Sequence, residues 1–233
     1  MQSFVQRFSK RKGAAILAVA ALVVCLPLGL RALTHETVYV DGSLAYYSVD
    51  DLFAGSTLVV SGTITGEPES LRVRHASADM ETNFTDYTLA VEHVYRGQAA
   101  GETLTVRLYG GTAGNVTEIY SPAPQLAAGE EYLLFLNQPS MGGAFHTLGD
   151  YYITGVTQGV FQEGTAGLYT SQSGDTLSPI QLAMTRSATP VDSDSLREEF
   201  VENQQANLAN GFITQEEYDA AIAGMNTYAT VVD

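Results

Sequence analysis

Residues 87–95 read Tyr87-Thr88-Leu89-Ala90-Val91-Glu92-His93-Val94-Tyr95. Strict alternation places Tyr87, Leu89, Val91, His93 and Tyr95 on one face and Thr88, Ala90, Glu92 and Val94 on the other, the period of a half-buried β-strand. The same Val- and Thr-rich alternation recurs at 57–65, 71–75, 84–95, 103–109, 131–137, 151–156 and 159–162. Turn residues separate these runs at Gly66-Glu67-Pro68, 97–101, Gly110-Gly111 and Ala128-Gly129, and connections this short favour antiparallel neighbours in a sandwich or barrel. Upstream, Asp41-Gly42 stands between Thr37-Val38-Tyr39-Val40 and residues 43–47, a hairpin signal, and a short helical turn is expected at 49–53. No strand alternates with a long helix, which argues against a doubly wound sheet.

The segments Val60-Ser61-Gly62-Thr63-Ile64, Asp86-Tyr87-Thr88-Leu89-Ala90-Val91 with Tyr95-Arg96-Gly97, and Thr103-Leu104-Thr105-Val106-Arg107 with Gly110-Gly111 open a recognisable succession. Gly129-Glu130-Glu131-Tyr132-Leu133-Leu134-Phe135-Leu136 and Gln158-Gly159-Val160-Phe161 complete it. The succession, covering roughly residues 48–163, resembles a group of exported bacterial proteins whose small barrel is similar to the OB fold of tissue metalloproteinase inhibitors. The resemblance implies a small OB-like β-barrel, and with the flanking segments read below the expected fold is mainly β, a small antiparallel OB-like β-barrel with an N-terminal signal or transmembrane helix and a C-terminal helical hairpin. Its motifs are strand and turn residues with a packing role, Leu133, Phe135 and Val106 alternating inward, so they carry an architecture and not an activity. The inhibitors act through an N-terminal cysteine on zinc, and no cysteine stands there in this chain.

The barrel region, 33–176, lies between two segments of different character. Residues 1–13 hold four cationic side chains and no anionic one, and 14–30 form an uncharged apolar run of 17 that ends at Arg31. Such a run sits between the length of a cleaved signal and that of a spanning helix, so residues 1–32 are read as a signal peptide or membrane anchor. The basic end stays inside and the remainder is outside, in the cell membrane or secreted. Cys25, the chain's one cysteine, falls in the apolar run, which leaves the exported part without disulfides or thiolate sites. Residues 177–194 are polar, with Pro179 and Pro190, and read as a linker. Ser195-Leu196-Arg197-Glu198 and Thr214-Gln215-Glu216-Glu217 are capping boxes opening two helices, a hairpin over 195–228. Tyr218, Ala221, Ile222 and Met225 recur at helical spacing as an apolar stripe that packs on the barrel or docks a partner. The segment resembles hairpins that end many bacterial membrane-linked proteins, with Gly211-Phe212-Ile213-Thr214-Gln215-Glu216-Glu217-Tyr218 at its centre.

From Leu33 onward six arginines, no lysine and 26 acidic residues give a formal charge of −20. That charge disfavours nucleic acid or polyphosphate as a partner, and the missing lysine excludes a P-loop or a Schiff base there. His35, His75, His93 and His146 lack metal-binding spacing, and His93 reads as a partly buried, hydrogen-bonded strand residue. Gly110-Gly111-Thr112-Ala113-Gly114 leads to no helix and reads as a barrel crossover rather than a phosphate cradle. The pairs Asp50-Asp51, Glu130-Glu131, Glu198-Glu199 and Glu216-Glu217 fall mostly at helix starts or turns, where dipole and solvent account for them. No nucleophile elbow is present, and no catalytic residue, metal or cofactor is expected.

Thirteen tyrosines without a tryptophan make a tyrosine patch the expected binding feature. Tyr109, Tyr120, Tyr151 and Tyr152 are the candidate ligand-binding residues, with the 109–120 segment as the loop of interest. Tyr218, Ile222 and Met225 are the candidate partner-docking residues. The expectation is a membrane-tethered, surface-exposed, non-catalytic binding module of a bacterial envelope, contacting the membrane through its N-terminal helix and an envelope protein or peptide through its surface. An inhibitor or regulator of an envelope protease is the alternative, and a hydrolase a more distant one.

Overall fold

The computed structural model describes residues 35–139, 142–143, 145–164, 167–185 and 193–232. The signal or anchor reading of 1–32, and Cys25 with it, lies outside them. Among the described residues no helix is long and apolar enough to cross a membrane.

The protein is mainly β. A large sheet curls into a half-barrel, built from β2 (Leu58–Arg74), β3 (Glu81–Arg96), β4 (Thr103–Tyr109), β7 (Glu131–Asn137), β8 (Tyr152–Ile153), β9 (Val160–Glu163), β10 (Tyr169–Ser171) and β11 (Thr176–Leu177). Its order is β11-β10-β9-β7-β2-β3-β4, with β8 paired to β7. At the β4 edge, Tyr151 forms a lone parallel bridge with Val106. The Arg107 amide donates to the Tyr151 carbonyl at 2.8 Å, and the Tyr151 amide donates to the Thr105 carbonyl at 3.0 Å.

Two details of β2 and β3 correct the sequence reading. Gly66-Glu67-Pro68 is not a turn between strands: β2 runs through it, and pairing with β3 slips register between Thr65 and Glu69. Gly66, at φ 72°, supplies the bend, and a bulge accommodates Pro68 because no ladder amide is needed there. Further slips occur between Val59 and Val60 and between Ser61 and Gly62. They reverse the alternation of β3, since each unmatched residue turns the following side chains to the other face. Tyr87, Leu89, Val91 and then Val94 pack on the larger core, Tyr95 packs on the second core, and His93 is exposed rather than partly buried. Its ring lies 4.5 Å from that of Tyr95.

The central strand β7 is buried on both faces from Tyr132 to Leu136. Tyr132, Leu134 and Leu136 enter the larger core with Leu58, Val60, Ile64, Leu89 and Val106. Leu133 and Phe135 enter the second, with Leu52, Val59, Phe161, Leu177 and Leu182. Leu133 and Phe135 therefore do not share a core with Val106. A strand between two layers has no solvent face, so inward alternation has no single meaning there.

The second core is closed by α1 (Val49–Gly55) and α2 (Pro179–Thr185), which bring Leu52 and Leu182. Ser48 caps α1: its Oγ accepts the Asp51 amide, and the Asp51 carboxylate accepts the Ser48 amide at 3.0 Å. Part of the polar stretch read as a linker takes up regular structure. Thr176–Leu177 pairs with β10, and α2 follows with Leu182 buried.

A small second sheet, order β1-β6-β5, comprises β1 (Glu36–Asp41), β5 (Gly111–Ala113) and β6 (Val116–Ser121). Asp41-Gly42 makes no hairpin. β1 instead lies parallel to β6, and the Gly42 amide donates to the Ser121 carbonyl at 2.8 Å. The glycine-rich 110–114 segment is no crossover but one arm and the turn of the β5–β6 hairpin.

At the C-terminal side, α3 (Ser193–Ala209) and α4 (Gln215–Met225) form the hairpin. α3 already runs from Ser193, which places Ser195 inside the helix rather than at its start. The Thr214 capping box is present as read. An additional strand, β12 (Thr230–Val232), pairs antiparallel with Arg72, Val73 and Arg74, and Ala229 packs with Val73 and Phe84.

Candidate functional site

Between the small sheet and the β4–β8 edge of the half-barrel lies an apolar cleft of about 340 Å³, at the lower end of ligand-pocket volumes. β1 and the chain after it contribute Val40 and Leu44, β6 contributes Tyr120, and the segment after β6 contributes Pro122 and Pro124. The opposite wall is Arg107, Leu108 and Tyr109 of β4 with Tyr152 and Ile153 of β8. Strand register explains the assembly. In-register parallel pairing sets Val38 beside Glu118 and Val40 beside Tyr120, and alternation gives each strand's pair a common face.

The structure brings together three of the four tyrosines singled out from sequence. Tyr109, Tyr120 and Tyr152 line the cleft, and the rings of Tyr109 and Tyr120 are 5.3 Å apart. Tyr109 also packs on Phe84, centroids 4.6 Å apart, and remains 44% exposed. Tyr151 is not among them, being buried in the larger core. Burial pushes the Tyr109 and Tyr120 hydroxyls above their ordinary values, and the Glu118 carboxylate, 3.5 Å from the Tyr120 hydroxyl, raises that one further.

The polar floor was not legible from sequence. Arg107, 4% exposed, donates from Nε and Nη2 to Asp86 and from Nη1 to Asp150 at 2.7 Å. Nη1 also meets the Thr147 hydroxyl, which donates to Asp150 at 2.6 Å. The Tyr152 hydroxyl lies 3.0 Å from Thr147 Oγ1 and within 3.2 Å of the Phe145 carbonyl. Two carboxylates thus share one guanidinium, and of the three groups only Arg107 lines the cleft, with the two carboxylates behind it. Val156, at the cleft wall, holds φ 56°, a conformation that costs a β-branched residue about 1–3 kcal/mol.

Sequence reasoning missed Leu44, Pro122 and Pro124. The run Ser121-Pro122-Ala123-Pro124 was the available signal, since closely spaced prolines stiffen a segment in extended form. None of the lining residues is a histidine or a carboxylate. Among the described residues no three His, Cys, Asp or Glu side chains converge as a metal site. Of the candidate docking residues, Tyr218 and Ile222 are half-buried. Met225 is buried at a shallow depression shared with Arg197, Val201 and Gln205 of α3. Arg197 Nη2 donates to Asn226 Oδ1 at 2.6 Å across the hairpin.

The chain matches no known protein family and no curated protein sequence.

Proposed function

We propose that the protein is a membrane-tethered binding module of a bacterial envelope, without catalytic activity of its own. Its half-barrel is an OB-like scaffold for the tyrosine-lined cleft, and the cleft receives a peptide segment of a partner protein. The observation that carries this reading is the cleft itself: apolar walls from two separate sheets, three tyrosines, and a floor held by the Asp86–Arg107–Asp150 network. Tyrosine offers large contact area at low entropic cost, and a floor whose polar groups are mutually satisfied is pre-organised for binding. The tether rests on the basic and apolar pattern of residues 1–31.

The test is selection from a random acetylated hexapeptide library by the full-length chain in phosphatidylcholine nanodiscs, beside Tyr120→Ala and Tyr39→Ala. Tyr39 is 72% exposed and lies outside the cleft. Peptides retained by the parent chain and by Tyr39→Ala but lost from Tyr120→Ala are the expected result. Equal retention by all three proteins would sink the cleft as the site.

A further inference from the structure

We infer that the cleft selects a cationic, apolar peptide, an extended segment in which lysine or arginine adjoins an aliphatic or proline side chain. The inference rests on the binding reading above and adds the chemistry of the occupant. Its apolar part follows from the walls, which are lined by residues with hydrocarbon side chains, Leu44, Pro122, Pro124, Leu108 and Ile153, against which apolar groups of a ligand are removed from water.

The cationic part follows from the charges around those walls. Arg107 is the one charged side chain that lines the cleft, and Asp86 and Asp150 behind it share that single guanidinium, so the network beneath the lining carries one negative charge in excess. Glu118 lies on the β6 face that carries Tyr120, with its carboxylate oxygen 3.5 Å from the phenolic hydroxyl. An anionic ligand would find no cation ready to receive it among the described arginines. Arg72 and Arg74 are bound to Glu81, Arg107 to its two aspartates, Arg197 to Asn226, and Arg96 to the Phe53 carbonyl. The Tyr109 and Tyr120 rings present π faces to which an ammonium or guanidinium is attracted.

A peptide fits better than a free organic cation because the negative charge is not confined to the cleft. The chain from Leu33 onward carries a formal −20, and Glu36, Asp41, Glu67 and Glu69, none of them in the cleft lining, are exposed, so a chain bearing several positive charges gains from the wider field.

The experiment uses the full-length chain in phosphatidylcholine nanodiscs with three acetylated, amidated hexapeptide libraries, fixed centrally as Leu-Lys, Leu-Gln or Leu-Glu. We expect the Leu-Lys library to be retained about tenfold over Leu-Gln at low salt, with Leu-Glu at background. That ratio should fall several-fold between about 50 and about 500 mM salt, and should approach one in Glu118→Gln. Leu44→Ser, outside any strand, should weaken retention of the Leu-Lys and Leu-Gln libraries alike. Equal retention of Leu-Lys and Leu-Gln by the parent chain would overturn the cationic preference while leaving the cleft as a peptide site. Loss of all three libraries would remove the binding reading and this inference together. A lysine preference unchanged in both Glu118→Gln and Tyr120→Ala would place charge recognition elsewhere and overturn the inference. Competition by butylammonium as potent as that of the peptides would assign the site to a free cation instead.

Discussion

Arg107 and Asp86 stand directly opposite one another on β4 and β3, and the guanidinium grips the carboxylate at two points, Nε to Oδ1 at 2.7 Å and Nη2 to Oδ2 at 2.6 Å. Burial pulls the Arg107 pKa down, but the Asp86 hydrogen bonds and charge, with Asp150 behind them, more than offset it and leave the group above its ordinary value. Through Asp150, which also pairs with Arg107 and lies next to the Tyr151 bridge, the contact ties the half-barrel's β4 edge to the chain before β8.

Asp86→Ala should lower stability by about 3 kcal/mol, since it strips a buried guanidinium of its two-point partner and leaves the Nε and Nη2 donors without an acceptor carboxylate. Urea denaturation of the full-length chain measures this, and a loss below about 1 kcal/mol would mean that Asp150 alone suffices.

Leu134→Ala and Phe135→Ala empty opposite sides of the same strand. Both side chains are fully buried, one in each core, and each truncation should cost about 3–4 kcal/mol. An effect confined to one of the two would show that only one core is tightly packed.

Gly62→Ala tests the register slip. A Cβ at Gly62 would lie 2.1 Å from the Ala90 carbonyl oxygen, a backbone atom that cannot swing aside. The expected cost is about 3 kcal/mol, with faster amide exchange at Val91 and His93. Unchanged exchange there would show that the strand pair absorbs the methyl group.

Removing residues 230–233 should release the β12 ladder on Arg72, Val73 and Arg74. Exchange of the neighbouring β2 amides should rise about tenfold or more as that segment opens locally. If the helical hairpin keeps its far-UV signal while those amides lose protection, β12 is a tether for the hairpin rather than a condition for its folding.

Stability should bend at both ends of the pH scale. Hydrogen bonds from Ser48 lower the Asp51 pKa, and those from Thr214 lower that of Glu217. A lowered carboxyl contributes fully above its unfolded pKa, and the contribution is lost as pH falls through the folded value, so both caps should loosen below about pH 4. Burial raises Tyr87, Tyr109, Tyr120 and Tyr151. Their contribution is complete below about pH 10 and disappears as pH rises through the raised values. Spectrophotometric titration should find late-ionising phenols, fewer of them in Tyr109→Phe and Tyr120→Phe. Ionisation of every tyrosine near pH 10 would contradict their burial.

Strand runs such as Thr103–Tyr109 and Glu131–Asn137 were legible because alternation and flanking turns agree locally. The Thr214 box was legible because a cap is a contact between residues three apart. Tyr109 and Tyr120 were readable as candidates, yet nothing in their spacing distinguished them from Tyr151, whose neighbour Tyr152 faces the cleft while it faces the core. The Asp41-Gly42 hairpin failed because β6 offered β1 a parallel ladder from 75 or more residues downstream, a choice invisible to a local pattern.

Composition and period alone determined the β class of this protein, its charge, and which short segments turn or cap. Those properties depend on side-chain type and on contacts a few residues long. Tertiary structure alone decided which face of β3 meets which core, which tyrosines share a cleft, and that Asp86, Arg107 and Asp150 form one floor. Each of these depends on register between distant strands, and a slip of one residue, as at Gly62, turns every following side chain to the opposite side.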